Sequence, residues 1–139
     1  MHQRYYFKIN NKDSLIGQIS LHAWTLGEQD IIIKLNGYEV YRKKILSNNR
    51  RIEFNFNTNL LKERGMNRLT FKFPNAHKPN NRDTRVLAMA LKSFSIEYRR
   101  AILPHETLGT PVAKYSFTYG ANWISPSTPH GFLIKTLLA

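Results

Sequence analysis

An all-β fold, an antiparallel jelly-roll-type β-sandwich with at most one or two short helical turns, is what this sequence predicts. Three observations lead there. Apolar residues alternate with polar ones in short runs, at Ile19, Leu21 and Ala23, at Ile52, Phe54 and Phe56, and at Leu69, Phe71 and Phe73. That is the period-2 pattern of strands with one buried face. Turn chemistry recurs between the runs every 8–15 residues or so, a sandwich spacing rather than that of βαβ units. Asn36-Gly37, set between two such runs, is the strongest short hairpin signal in the chain.

Taken in order, Tyr5 to Asn10 is a first or edge strand, and Asn11-Lys12-Asp13-Ser14 turns the chain. Gln18 to Trp24 puts Ile19, Leu21 and Ala23 on one side and Ser20, His22 and Trp24 on the other. After a turn at Leu26-Gly27-Glu28-Gln29 come the β-branched run Asp30 to Leu35 and, across the hairpin, Tyr38 to Lys43. Ser47-Asn48-Asn49 leads into the strand of Ile52, Phe54 and Phe56. The segment from Asn59 to Arg64 is too short for an independent helix, and Gly65 suits the left-handed conformation that ends such a turn. Leu69 to Phe73 alternates until Pro74 halts the ladder. Val86 to Leu91 is rich in helix formers, yet Phe94 to Tyr98 continues it with period 2, so the whole run reads as a strand. Beyond Arg100, prolines and Gly109 mark a linker-like stretch, Ala113 to Tyr119 alternates again, and Phe132 to Leu138 is a last apolar run after a loop carrying Trp123. The chain thus reads as one domain over 1–139, with a sandwich core at 5–100 and an extension at 101–139 adding one or two strands.

The chain has 139 residues, 42% of them hydrophobic and 12% aromatic, enough for one domain with a real core. It has no cysteine, which excludes disulfides, thiolate metal sites and a cysteine nucleophile. No window approaches the roughly 18 apolar residues of a membrane helix, and the first residues lack the apolar core of a signal peptide. Charge is the outlier. Lys and Arg number 21 against 9 acids, a net +12 that favours anionic partners. The basic residues are scattered, at Arg42-Lys43-Lys44, Arg50-Arg51, Arg82 with Arg85, and Arg99-Arg100, with no basic arm. Nucleic acid is therefore permitted but not favoured: it requires these residues to gather into one stripe with stacking rings beside it.

Leu60-Leu61-Lys62-Glu63-Arg64-Gly65-Met66-Asn67-Arg68-Leu69-Thr70-Phe71 resembles the L-x-x-G-x-N-x-L-x-F element of galactose-binding-like jelly rolls. The resemblance implies that the glycine takes the bend and that Asn67 bonds backbone beside it. A second ordering, at Phe71, Pro74, Asn75, Ala76, Pro79, Asp83, Arg85, Leu87, Ala90, Leu91 and Ser93, resembles an accessory β-sandwich module. That module occurs in bacterial cell-envelope proteins of the sugar-transferase and phosphoglycerol-transferase type. The match covers about a third of the chain, and the loop Lys78-Pro79-Asn80-Asn81-Arg82 is shorter and more basic than the family's. It implies a non-catalytic sandwich and a bacterial envelope setting.

For a ligand site, His77, Lys78, Arg82 and Arg85 form an anion site if their loop curls, since guanidinium groups pair well with carboxylate or phosphate. The bland alternative is a solvated loop, with Asp83 and Arg85 as a structural ion pair. Trp24 on the polar side of its strand and Trp123 in its loop are candidate sugar platforms, with Tyr41 and Tyr119 beside them. Phe54, Phe56, Phe71, Phe73, Phe94 and Phe117 are assigned to the core. Five dispersed histidines, no close metal-ligand spacing, no carboxylate couple and no phosphate loop argue against catalysis, a metal or a cofactor. The expectation is a non-enzymatic domain that binds carbohydrate, an anionic envelope glycan by preference. An interaction module docking an acidic protein partner is the alternative.

Overall fold

The computed structural model describes residues 1–9, 15–46, 50–79, 82, 86–100, 111–118, 131–132 and 134–137. Ten strands are placed: β1 His2–Phe7, β2 Leu15–Thr25, β3 Gln29–Leu35, β4 Tyr38–Ile45, β5 Arg50–Phe56, β6 Asn67–Lys72, β7 Met89–Arg100, β8 Pro111–Thr118, β9 Gly131–Phe132 and β10 Ile134–Leu137. They form two five-stranded sheets, sheet I in the order β4-β3-β6-β1-β9 and sheet II in the order β10-β8-β7-β2-β5. Pairing is antiparallel except between β1 and β9. The predicted all-β sandwich is what the chain forms. Among the described residues no helix is long and apolar enough to cross a membrane.

Alternation decides what is buried. Ile19, Leu21 and Ala23 of β2 turn inward, as do Ile31, Ile33 and Leu35 of β3 and Leu69 and Phe71 of β6. The sheets are locked by three rings: Tyr5 of β1 lies 4.5 Å from Phe94 of β7 and 5.5 Å from Phe71 of β6, with Phe71 and Phe94 5.3 Å apart. The edge-to-face and tilted geometries are those that aromatic quadrupoles favour.

The turns follow their residue chemistry. Asn36 and Gly37 both have positive φ, 51° and 89°, the left-handed pair that a two-residue hairpin needs to match strand twist. The helical turn is shorter than the 59–64 segment suggested: only Thr58–Leu60 is 3-10, capped by the Asn57 side chain accepting from the Asn59 N–H at 2.9 Å. Gly65, with φ of 83°, then reverses the chain into β6. The strand expected from Val86 starts at Met89. Leu87 instead makes an isolated bridge to His77, with N–H to O distances of 2.8 and 2.9 Å. A β-bulge in the β2–β7 ladder, where consecutive His22 and Ala23 face Ser93 and Leu91, leaves Lys92 as the extra residue of β7 and bends that strand, while β2 keeps its alternation.

Candidate ligand-binding track at the open edge

Strands β4 and β5 end their respective sheets and flank one open side of the sandwich. The register carries Tyr41, Lys43 and Ile45 of β4 on the inward row, opposite Ile33, Ile31 and Gln29 of β3. From β5, Ile52 and Phe54 share the inward row with Leu21 and Ile19. The sheets part here into a cleft of about 410 Å³, lined among others by Tyr41, Lys43, Lys44, Arg51, Ile52 and Glu53. Tyr41 closes the inner side of the gap by stacking on Phe54, with ring centroids 4.4 Å apart and planes 17° from parallel. Phe54 is accordingly a half-buried edge residue rather than a central one.

The cleft is basic at its rim and apolar beneath. Lys43, Lys44 and Arg51 are exposed, with Glu53 the single carboxylate among the described lining residues. Lys44 reaches Glu28 at 3.7 Å, an exposed contact that leaves it substantially hydrated. Burial pushes the Tyr41 phenol above the usual tyrosine value, so the hydroxyl stays protonated at neutral pH and can donate. Lys43 occupies an inward register position on an edge strand, a placement that also deters strand addition.

The outer face of sheet II continues this rim. Gln18, Ser20, His22 and Trp24 of β2 point away from the core, and His22 is paired across the ladder with Arg51 of β5. The His22 and Trp24 rings are 6.0 Å apart and tilted by 47°. Ala90, directly across the ladder from Trp24, is 2% exposed, a small side chain beside a large one. Trp24, His22 and Arg51 therefore lead from the sheet face over β5 to the cleft. Ser93 and Ser95 of β7 border His22 and Ser20 and add small hydroxyl groups to this face.

Of the residues singled out from sequence, Trp24 and Tyr41 are brought to the two ends of this track. His77 is elsewhere: it is exposed, its Nδ1 lies 2.9 Å from the Asn75 carbonyl, and its backbone bridges Leu87. Arg82 is exposed. Arg85, Asp83, Tyr119 and Trp123 lie outside the described residues, as do the side chains of β8 to β10. His22, Lys43, Arg51 and Glu53 were not expected as site residues. The Arg42-Lys43-Lys44 and Arg50-Arg51 clusters hinted at them, but only the pairing of β4 and β5 with their inner neighbours shows which cation meets the cleft. Among the described residues no three His, Asp or Glu side chains are grouped to hold a metal. Compared with protein-family models, curated proteins and solved structures, the chain matches none of them.

Proposed function

We propose that this domain is a non-catalytic carbohydrate-binding module whose ligand is an acidic glycan, of the kind found in bacterial envelopes. The observation that supports it is the continuity of the track: a tryptophan beside His22 on a face that also carries small hydroxyl groups, an arginine on the connecting edge strand, and a cation-rimmed cleft backed by a stacked tyrosine. Aromatic faces suit the apolar faces of sugars, polar side chains their hydroxyls, and Lys43, Lys44 and Arg51 their acidic substituents. Docking to an acidic protein would call for one flat aromatic patch. Trp24 and Tyr41 are instead separated by β5.

The test is titration with uronate-bearing and phosphate-bearing oligosaccharides against neutral ones. Tyr41→Ala is expected to weaken acidic-glycan binding about 2- to 13-fold, the scale of an aromatic contact of about 0.5–1.5 kcal/mol. Arg51→Ala should weaken it several-fold and flatten its salt dependence. Neutral glycans binding as tightly as acidic ones, or both variants binding like wild type, would remove the reading.

A further inference from the structure

The outer face of sheet I carries a second, separate arrangement. Residues of β3, β6 and β1 that point away from the core fall into three rows set by the ladders. Lys72 lies between Ile32 and His2, Thr70 between Lys34 and Arg4, and Arg68 beside Tyr6. Successive rows are two residues apart along β6, about 6.6 Å. Arg4, Lys34, Arg68 and Lys72 thus form one stripe along the strand direction. Ile32 and Thr70 face outward between them yet are only 8% and 6% exposed. Long cationic side chains laid along the sheet, with their stems covering these two residues, account for that burial.

Of the acids on this face, Glu39 stands directly across the β3–β4 ladder from Lys34, but its carboxylate is held by Arg42. Glu39 on β4 accepts from Arg42 Nη2 at 2.6 Å and Nε at 3.0 Å, and Asp30 is at the start of β3 beside Lys44 in register. No carboxylate among the described residues is within ion-pair distance of Lys34 or Lys72. Lys34 and Lys72 are diagonal neighbours across the β3–β6 ladder, and Lys34 is the first cause that holds Lys72 below the usual lysine value. His2, in the same row, is lowered first by partial burial and next by Lys72. Two neighbouring ammonium groups repel unless an anion sits between them. A phosphate there turns the repulsion into two attractions.

We infer that the outer face of sheet I is a platform for single-stranded nucleic acid, with successive phosphodiesters along the Lys72, Lys34–Arg4 and Arg68 rows and a base stacked on Tyr6. Rows two residues apart match the six-bond repeat of a nucleotide backbone in extended form. A flat strand surface fits a splayed single strand, and a ring at the end of a basic stripe supplies a stacking platform that any base can use. The site lies on the opposite sheet from the Trp24–His22–Arg51 track and does not depend on it.

Fluorescence anisotropy of a labelled oligodeoxythymidylate of about 12 nucleotides, across a salt series, tests this. Three or four neutralised phosphates give a slope of log affinity against log salt of about −2 to −3. Lys34→Ala with Lys72→Ala is expected to make that slope shallower by about 1.4, and Arg4→Ala by about 0.7. Tyr6→Leu should weaken binding about 5- to 150-fold with the slope unchanged. Acidic-glycan binding by the same folded variants should stay at the wild-type level. A slope indifferent to the Lys34 and Lys72 substitutions would overturn the stripe. Inorganic polyphosphate binding as tightly as the oligonucleotide, with Tyr6→Leu without effect, would overturn nucleic acid as its occupant.

Discussion

Phe71→Ala is expected to lower the unfolding free energy by about 3–5 kcal/mol, the range for deleting a buried phenyl ring and leaving a cavity. Phe71 is 0% exposed and its ring meets Tyr5 within its own sheet and Phe94 across the sandwich, at 5.5 and 5.3 Å. No neighbour can collapse into the space, because Tyr5 and Phe94 are already held 4.5 Å apart. The midpoint of thermal unfolding should fall by on the order of 10 °C or more. Phe54→Ala, in the edge strand, is expected to lose much less, about 1–2 kcal/mol, because its ring is half-buried and one side faces the cleft through Tyr41. Urea titration of both variants measures the contrast. Equal losses would mean that the sandwich is held as firmly at its open edge as at its centre.

That contrast also marks the limit of reading burial from alternation. Phe54 and Phe71 sit in equally regular period-2 runs, and the sequence makes them look alike. What separates them is strand order: β6 lies in the middle of sheet I and β5 at the end of sheet II. The sandwich itself was legible because every β-strand up to β7 carries its own alternation or turn chemistry, with Asn36-Gly37 the sharpest case. Trp24 was legible as outward-facing for the same local reason. Tyr41 was a candidate on its residue type alone, whereas its partner in the cleft depends on two edge strands meeting. The cation stripe was out of reach for a stronger version of that reason. Arg4, Lys34, Arg68 and Lys72 come from three stretches of sequence, and only the β3-β6-β1 order sets them side by side. Scattered charge in the sequence is gathered charge on the sheet. The anion loop of His77, Lys78, Arg82 and Arg85 lies partly outside the described residues, and the bridge that ties the His77 backbone to Leu87 is one that no side-chain pattern announces.

Asn67→Ala should be the costliest polar substitution, at about 2–4 kcal/mol, because it strands partners as well as losing bonds. Asn67 is fully buried at the head of β6. Its Oδ1 accepts from the Lys62 N–H at 2.7 Å and from Asn36 Nδ2 at 2.9 Å, while its Nδ2 donates to the Lys62 carbonyl at 3.0 Å. Asn36 in turn donates to the Leu60 carbonyl at 2.8 Å and accepts from the Arg68 N–H at 2.9 Å. Two side chains thus tie the β3–β4 hairpin to the turn before β6, and the hairpin's left-handed Asn36 is set by the same bonds. Asn36→Gly keeps the φ of 51° accessible and removes only the side-chain bonds, so the Asn36→Gly, Asn67→Ala cycle should show a coupling of about 0.5–3 kcal/mol. Additivity would mean that the two amides act on their turns independently. Asn67→Asp separates shape from proton. Its carboxyl must carry a hydrogen to serve the Lys62 carbonyl, and burial also favours the neutral form, so its folded pKa lies above the unfolded value of about 3.9. The folded state then binds the extra proton, and stability near that of wild type at low pH should be lost as pH rises past about 4. Stability of Asn67→Asp that instead rises over that interval would mean that the Lys62 and Asn36 donors dominate the site and the carbonyl contact is dispensable.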